Sequence, residues 1–237
     1  MMHSYTWSHS IDDASGLRVS SNSLNAQLDR GNSEFDVRHR YSGAILYQLP
    51  WLRNNKGFLG AVAGGWMITG LLTFQTGLPF DITEPQDRCL CDGGTQRPDY
   101  IGGDVVFVDP RSNQFGVQNG YFNGVGGGTA TGAPNPFFRR VGTGPSAAQG
   151  AGRFGDLGRN VFHGPGIEQV DFGLSKQFNI TEHQHVELRG EAFNLFNHTN
   201  FNNPAPTTGA NIGSTSFGRI TSAKDPRLVQ LTLRYMF

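Results

Sequence analysis

The sequence has little charge of either sign. Charged residues make up 16% of its 237 residues, against roughly 25% in soluble globular domains. The 19 basic and 19 acidic residues cancel to a formal net charge of zero. A chain without a positive surplus lacks the electrostatic attraction that nucleic-acid binders use, so we expect no nucleic-acid partner.

Cysteine is scarce as well. Cys89 and Cys91 form a Cys-Leu-Cys pair, which is no disulfide framework and supplies only half of a zinc site. Together with Asp87 and Asp92, the two cysteines could form a metal site in a loop, or they could form a tight disulfide. The favoured interpretation is a loop in which these polar residues are incidental.

A visible export signal is also lacking. The start, Met1–Trp7, has no basic segment followed by an apolar one, so no signal peptide is apparent. We therefore expect either that this chain lacks its true start or that its export route is not visible in the sequence.

Glycine and phenylalanine are abundant instead. The chain has 33 glycines, about twice the usual share of about 7%. Its 18 phenylalanines are too many aromatics for a disordered tail. This composition favours β structure with large loops, and the length suits one large all-β domain or two small ones.

The last eleven residues alternate strictly between two faces. Alternation with period two indicates a strand with one apolar face, and about 9–11 residues is the length that a tilted strand needs to cross a bilayer. The apolar face of this segment consists of Val229, Leu231, Leu233, Tyr235 and Phe237. Arg234 lies on the opposite face.

Four further segments show the same pattern, over residues 3–11, 41–49, 170–178 and 186–194. In the last two, one face is apolar or small and the other carries Asp171, Glu187, Arg189 and Glu191. Charges in a row on a strand need water or partners. Lys176 alone departs, on the apolar face, which is tolerable near a membrane interface.

Residues 57–80 are the hardest segment to interpret. They carry no charge over 24 residues, which is the length typical of a transmembrane helix. Six glycines interrupt the segment, and from Val62 onward apolar Trp66, Ile68, Leu72 and Phe74 fall on one face. We therefore favour a strand over a helix for this segment.

The connections between the six predicted strands alternate in length. Residues 50–57 and 179–183 form short turns, whereas residues 12–35, 77–166 and 196–225 form long connections. Transmembrane barrels have short periplasmic turns and long external loops. The predicted fold is an all-β, antiparallel up-and-down meander, about six strands of an incomplete transmembrane β-barrel with long extracellular loops. We place these aromatic residues near its periplasmic end: Tyr5, Trp7, Tyr47, Trp51, Phe178, Tyr235 and Phe237.

Several runs of residues resemble a known family. Leu231–Phe237, with its terminal Phe, resembles the C-terminal strand of bacterial outer-membrane proteins, and Glu187–Phe201 resembles the penultimate strand of TonB-dependent receptors. Tyr5–Ala14, Phe35–Arg40 and Gly64–Gly70 extend the likeness to the large Oar-like receptors, which carry a carboxypeptidase-regulatory-like N-terminal domain.

The resemblance implies a location, partners and roles. It implies a bacterial outer-membrane protein in contact with lipid, a C-terminal signal for the barrel-assembly machinery (Val229, Leu231, Leu233, Tyr235, Phe237), and a wet lumen lined by Asp171, Glu187, Arg189, Glu191 and Arg234. It also implies uptake of an unidentified ligand.

Such receptors have about 22 strands and a plugged lumen, whereas six strands cannot close a barrel. We therefore expect residues 1–237 to be the C-terminal segment of a longer receptor, without a plug domain, which TonB would contact only through the missing plug.

No motif points to an enzyme. We expect no catalytic, cofactor-binding or metal-binding residues: Glu187 and Glu191 are explained by a charge ladder with Arg189 and Arg234. His183, His185 and Glu187 share a face and leave a metal site open, but solvated residues at a lumen mouth are favoured. The alternative function is a soluble or secreted β-rich binding module, such as a carbohydrate-binding sandwich, in which the apolar faces would pack against a second sheet.

Overall fold

The computed structural model describes residues 1–15, 25–50, 57–90, 96–124, 135–142 and 152–237. The elements are, in chain order, β1 Met2–Trp7, β2 Ile11–Asp12, a 3₁₀ turn Ala26–Asp29, β3 Gly31–Asn32, β4 His39–Gln48, α1 Phe58–Ala63, β5 Trp66–Gln75, β6 Pro79–Phe80, β7 Asp99–Tyr100, a 3₁₀ turn Pro110–Ser112, β8 Phe138–Arg139, β9 Phe162–His163, β10 Ile167–Asn179, β11 His185–Phe193 and β12 Leu228–Met236.

One antiparallel sheet contains the six long strands. Its order is β1-β4-β5-β10-β11-β12, so each strand pairs with the next long strand in the chain, as predicted for an up-and-down meander. The sheet is open, because β1 and β12 each have a neighbour on one side only. The other described strands form two-residue pairs, β2 with β3, β6 with β9 and β7 with β8.

The strand register gives the sheet one apolar face. Residues directly opposite in an antiparallel pair lie on the same face. Leu188 is paired with Leu233, Leu174 with Gly190 and Ile68 with Leu174. Followed across all six strands, the register aligns these apolar side chains: Tyr5, Trp7, Tyr41, Ile45, Tyr47, Trp66, Ile68, Leu72, Phe74, Val170, Phe172, Leu174, Phe178, Val186, Leu188, Val229, Leu231, Leu233 and Tyr235.

The start of the uncharged segment 57–80 differs from the prediction. Residues Phe58–Ala63 form a short helix, and the strand begins only at Trp66. Gly57 and Gly65 flank this helix with φ of 95° and 73°, a region that glycine adopts without steric cost. The strand prediction is therefore confirmed for Trp66–Gln75 and wrong for the residues before it.

The two ends of the sheet have different connections. Residues 49–65 and 180–184 join strands at one end, and residues 8–38, 76–166 and 194–227 join them at the other. Tyr47, Phe178 and Tyr235 lie at the short-turn end, as predicted. The prediction is wrong for Trp7, which pairs with His39 at the long-connection end, because β1 runs toward the first long connection. The prediction is also wrong for Tyr5, which lies two residues before Trp7 in the same half of the sheet. Trp51 lies outside the described residues.

The long connections fold into a compact unit, which we call the cap: the described parts of residues 77–166, together with residues 196–227. Its core contains the buried side chains Phe80, Ile82, Tyr121, Phe122, Phe137, Phe138, Leu157, Ala210, Ile212, Phe217 and Ile220. Both connections contribute to this core, and their backbones are joined where Thr83 N donates to Ala210 O and Tyr121 N to Gly218 O, each at 2.8 Å. Among the described residues, the buried apolar core therefore lies in the cap and not in the sheet.

Candidate functional site

The face of the sheet opposite the apolar one carries the predicted charged residues. Glu187, Arg189 and Glu191 follow each other at every second position of β11. Arg189 Nη2 lies 2.6 Å from Glu187 Oε1, and its Nη1 lies 3.8 Å from Glu191 Oε1. One guanidinium therefore serves both carboxylates, which is the arrangement of a charge ladder. A general acid must stay protonated, and a nearby cation favours the ionised carboxylate. A general acid–base pair would therefore need one of the two carboxyls to lie away from such a cation.

Asp171 and Arg234 flank this ladder on the two neighbouring strands. Asp171 accepts hydrogen bonds from Gln169 Nε2 at 3.0 Å and from the backbone N of Asn194 at 2.9 Å. Arg234 stands directly opposite Glu187 in the register of β11 and β12. The structure thus brings all five predicted lumen residues onto one face of the sheet.

The residues of the C-terminal run are highly exposed. Val229, Leu231, Leu233 and Tyr235 share the apolar face of β12, and Phe237 follows the strand. The exposed fractions of Leu231 and Leu233 are 79% and 74%. Since apolar side chains of this size are seldom left in water as a contiguous patch, this face requires an apolar neighbour.

The metal-site alternatives gain no support from the described residues, among which no group of three His, Cys, Asp or Glu side chains could hold a metal ion. Cys89 is disulfide-bonded, which agrees with the disulfide alternative for the Cys-Leu-Cys pair. Cys91 and Asp92 lie outside the described residues. No described helix combines the length and apolarity needed to cross a membrane.

A comparison with protein families identifies the chain. Residues 1–230 match the model of a family described as outer membrane beta barrel domain. The chain belongs to this family. No curated protein and no solved structure matches it.

Membership of this barrel family shows where the sheet is located in the cell. The protein is located in the bacterial outer membrane, and the soluble binding module considered from the sequence is no longer supported. In a membrane barrel the outward side chains are apolar, because lipid surrounds them, and every strand backbone must pair with a neighbour. The apolar face shared by all six strands meets the first requirement, while the unpaired edges of β1 and β12 do not meet the second.

The cap of this outer-membrane protein holds a cavity that the sequence did not predict. A space of about 1020 Å³ lies between the cap and the ends of β1, β4, β5 and β10. Its walls include aromatic side chains from the apolar sheet face (Tyr5, Tyr41, Phe74) and from the cap (Phe107, Tyr121, Phe162). A second space of about 370 Å³ adjoins it and shares Phe107, Tyr121 and Glu168 with it.

Buried charges attach the first long connection to the cap. Arg97 Nη1 lies 2.9 Å from Asp29 Oδ1, and Arg159 Nη1 lies 2.7 Å from Asp12 Oδ1. Burial alone would raise the pKa of Asp12, but hydrogen bonds from Ser33, Ser15 and Arg159 hold it below its ordinary value. Sequence reasoning missed these pairs, since the partners lie 68 and 147 residues apart and no local pattern links them.

Proposed function

We propose that this chain is part of the wall of an Oar-like, TonB-dependent receptor that takes up a scarce ligand and has no catalytic role. The observation that carries the proposal is the open sheet of six strands with one apolar face, on which the register places only two charged residues, Glu168 and Lys176, toward opposite ends of β10. Transmembrane barrels begin at about eight strands, and six strands with two free edges need further strands to satisfy their backbone groups. The large TonB-dependent barrels supply such strands.

The polar face supports a water-filled lumen. Glu187, Arg189 and Glu191 form a ladder along β11, and a charge ladder on a strand of a membrane barrel is compatible only with a wet interior, because lipid penalises charges strongly. In this proposal Asp171 and Arg234 complete the same lumen wall.

The cap supports a receptor on the external side. The long connections of a membrane barrel lie outside the cell, and here two of them share one aromatic core. Ordered external loops suit ligand capture better than mobile ones, since less conformational entropy is lost on binding. The proposed partners are outer-membrane lipid, the barrel-assembly machinery through the C-terminal strand, and TonB through a plug outside this chain.

The proposal is tested in the source bacterium with an epitope tag inserted after Ser112, in an exposed turn of the cap, so that the C-terminal strand stays intact. We expect a heat-modifiable protein that only detergent extracts from the outer membrane. Formaldehyde should crosslink it to TonB, and the crosslink should disappear when the proton gradient is dissipated.

Two results would contradict this function. One is a tagged protein that is soluble in the periplasm without detergent. The other is an outer-membrane protein that never crosslinks to TonB, while an established TonB-dependent receptor in the same cells does.

A further inference from the structure

The cavity of about 1020 Å³ between cap and sheet has one wall on the apolar sheet face. Tyr5, Tyr41 and Phe74 lie on this face by register, near the end of the sheet that carries the long connections. The cap supplies the facing wall with Phe107, Tyr121 and Phe162. The rings of Phe107 and Tyr121 are 5.1 Å apart, and those of Phe107 and Phe162 are 5.6 Å apart.

Three polar side chains also line the same cavity, one each from the first long connection, the cap and β10. Arg38, His163 and Glu168 line it. Arg38 is already held by Asp36, with 2.7 Å between its Nε and the carboxylate. Burial lowers the pKa of His163, so its imidazole is neutral at pH 7 and offers hydrogen bonds in place of a positive charge.

The adjoining space of about 370 Å³ is polar as well. It is lined by the ion pair of Asp109 and Arg111, with 2.6 Å between Oδ2 and Nη2. His198 lies there too, with Nε2 at 3.8 Å from Glu168 Oε2. The larger space is therefore lined mainly by aromatic rings. The smaller space beside it is lined by acidic, basic and imidazole side chains that can form hydrogen bonds.

We propose that the two adjoining cavities bind a glycolipid of the outer leaflet, with an acyl chain against Tyr5, Tyr41 and Phe74 and the sugar headgroup beside Glu168 and His198. This inference rests on the outer-membrane location and not on TonB-dependent uptake.

The position of the cavity favours a membrane lipid over a dissolved ligand. Its sheet wall continues the face that the barrel presents to lipid, and it lies at the external end, where headgroups of the outer leaflet meet the protein. Aromatic residues with polar tips are typical of this depth in the membrane.

The polar lining favours a sugar over a bare phosphate. A phosphate site would present unpaired cations, whereas here Arg38 and Arg111 are each paired with an aspartate and Glu168 adds a negative charge. Sugar hydroxyls both donate and accept hydrogen bonds, so they match imidazole and carboxylate groups.

The test compares two substitutions of exposed valines. Val161 lines the cavity, whereas Val106 lies on the cap surface and lines neither space; their exposed fractions are 46% and 49%. Val161→Trp fills the cavity and Val106→Trp is its matched control. The full protein is extracted from outer membranes in mild detergent, and the lipopolysaccharide retained per chain is measured by mass spectrometry.

We expect the native protein and Val106→Trp to retain lipopolysaccharide, and Val161→Trp to retain about tenfold less, the change that ~1.4 kcal/mol of lost binding free energy produces. Heat-modifiable migration verifies that each variant folds. Glu168→Ala, at an exposed position, serves as a second variant that does not depend on filling the cavity, and it should lower retention severalfold.

Three results would overturn the proposal. Equal retention by Val161→Trp and the control would show that the cavity is not the site. Higher retention by Glu168→Ala would indicate recognition of phosphate in place of sugar. Crosslinked dimers of the purified protein that Val161→Trp abolishes would show that a second copy of the chain occupies the cavity.

Discussion

At the scale of single residues, neighbouring positions of β12 lie on opposite faces of the sheet. Leu233 lies on the apolar face and is 74% exposed, while Thr232 lies on the opposite face, paired with Arg189. Leu233→Arg therefore puts a charge into lipid, and we expect it to destabilise the assembled barrel by about 2–4 kcal/mol if the position is near the bilayer midplane.

Thr232→Arg is the matched control, because its side chain would point to the polar face. We expect a much smaller loss of stability, measured as the free energy of unfolding of the protein in lipid vesicles. Equal losses at the two positions would contradict the assignment of faces.

Phe217 belongs to the aromatic core of the cap. Its side chain is fully buried and packs edge-on against Phe122 and Phe138, with ring centroids at 5.3 and 6.0 Å. Phe217→Ala leaves a cavity there, and we expect a loss of about 3–5 kcal/mol in cap stability. Amide hydrogen exchange should show faster exchange in the cap and unchanged exchange in the sheet.

Phe35→Ala provides the control for this prediction, since Phe35 is 65% exposed and should change exchange little. Protection of the cap that survives Phe217→Ala would show that its connections are ordered without the aromatic core.

At the scale of elements, Arg159 attaches the first long connection to the cap. It donates to Asp12 Oδ1 and Ser15 Oγ at 2.7 Å and to the Asp29 carbonyl at 3.0 Å. Gly31 packs against the Arg159 carbonyl so closely that a Cβ would collide with it.

Arg159→Met removes these bonds and leaves Asp12 unpaired. We expect a loss of about 3 kcal/mol, the low end for a buried pair, because Asp12 keeps some contact with water. The measurement is proteolysis of residues 8–38 in the folded protein, which should become faster. Arg111→Met breaks an exposed pair and should cost about 0–1 kcal/mol; comparable proteolysis of both variants would contradict the prediction.

Asp36 connects the same element to the end of β1, and this contact depends on pH. Burial alone would raise the pKa of Asp36, but the backbone N–H of Ser10 and the guanidinium of Arg38 hold it below the ordinary value of 3.8. The carboxylate therefore stabilises the folded state fully above about that value, and its contribution disappears as the pH falls through the lowered pKa.

The acid sensitivity of this contact is measured by proteolysis of residues 8–38 at decreasing pH. We expect cleavage of the native protein to accelerate in this acid range, while Asp36→Asn is cleaved faster already at pH 7 and shows less pH dependence. An Asp36→Asn variant with the native pH profile would assign the acid sensitivity to another group.

The six strands could be predicted from the sequence because a sheet with different media on its two faces imposes alternation on each strand. β11 and β12 were placed within a residue at each end. The helix Phe58–Ala63 is not predicted, since its apolar and small residues suit a strand as well as a helix over so short a length. Its bounds are set by the capping glycines Gly57 and Gly64.

At the scale of the whole molecule, the sequence predicted where the long connections begin and end but not that they fold together. The neighbouring aromatic residues Phe137 and Phe138, and Tyr121 and Phe122, are a signal in the sequence of residues 77–166 that indicates a buried cluster. Contacts such as Arg97 with Asp29 could not be predicted, because the partners lie 68 residues apart in the chain and no local pattern links them.

The open edges also have a consequence for the whole molecule. β1 and β12 expose unpaired backbone groups along their outer sides, and such edges pair readily with other strands. We expect the isolated chain to aggregate or to pair with another copy. A stable monomer in detergent-free buffer, seen by sedimentation, would contradict an incomplete barrel wall.

We expect the apolar face of the sheet to meet lipid and the opposite face to meet water. This expectation is tested most directly by spin labels placed one at a time along residues 228–236 of the protein in its outer membrane, with contact to oxygen and to a water-soluble nickel chelate measured for each. We expect oxygen contact to dominate at 229, 231, 233 and 235 and nickel contact at 230, 232 and 234. Labels that lack this alternation, with both reagents excluded at the odd positions, would show that those side chains pack against protein and would contradict the account.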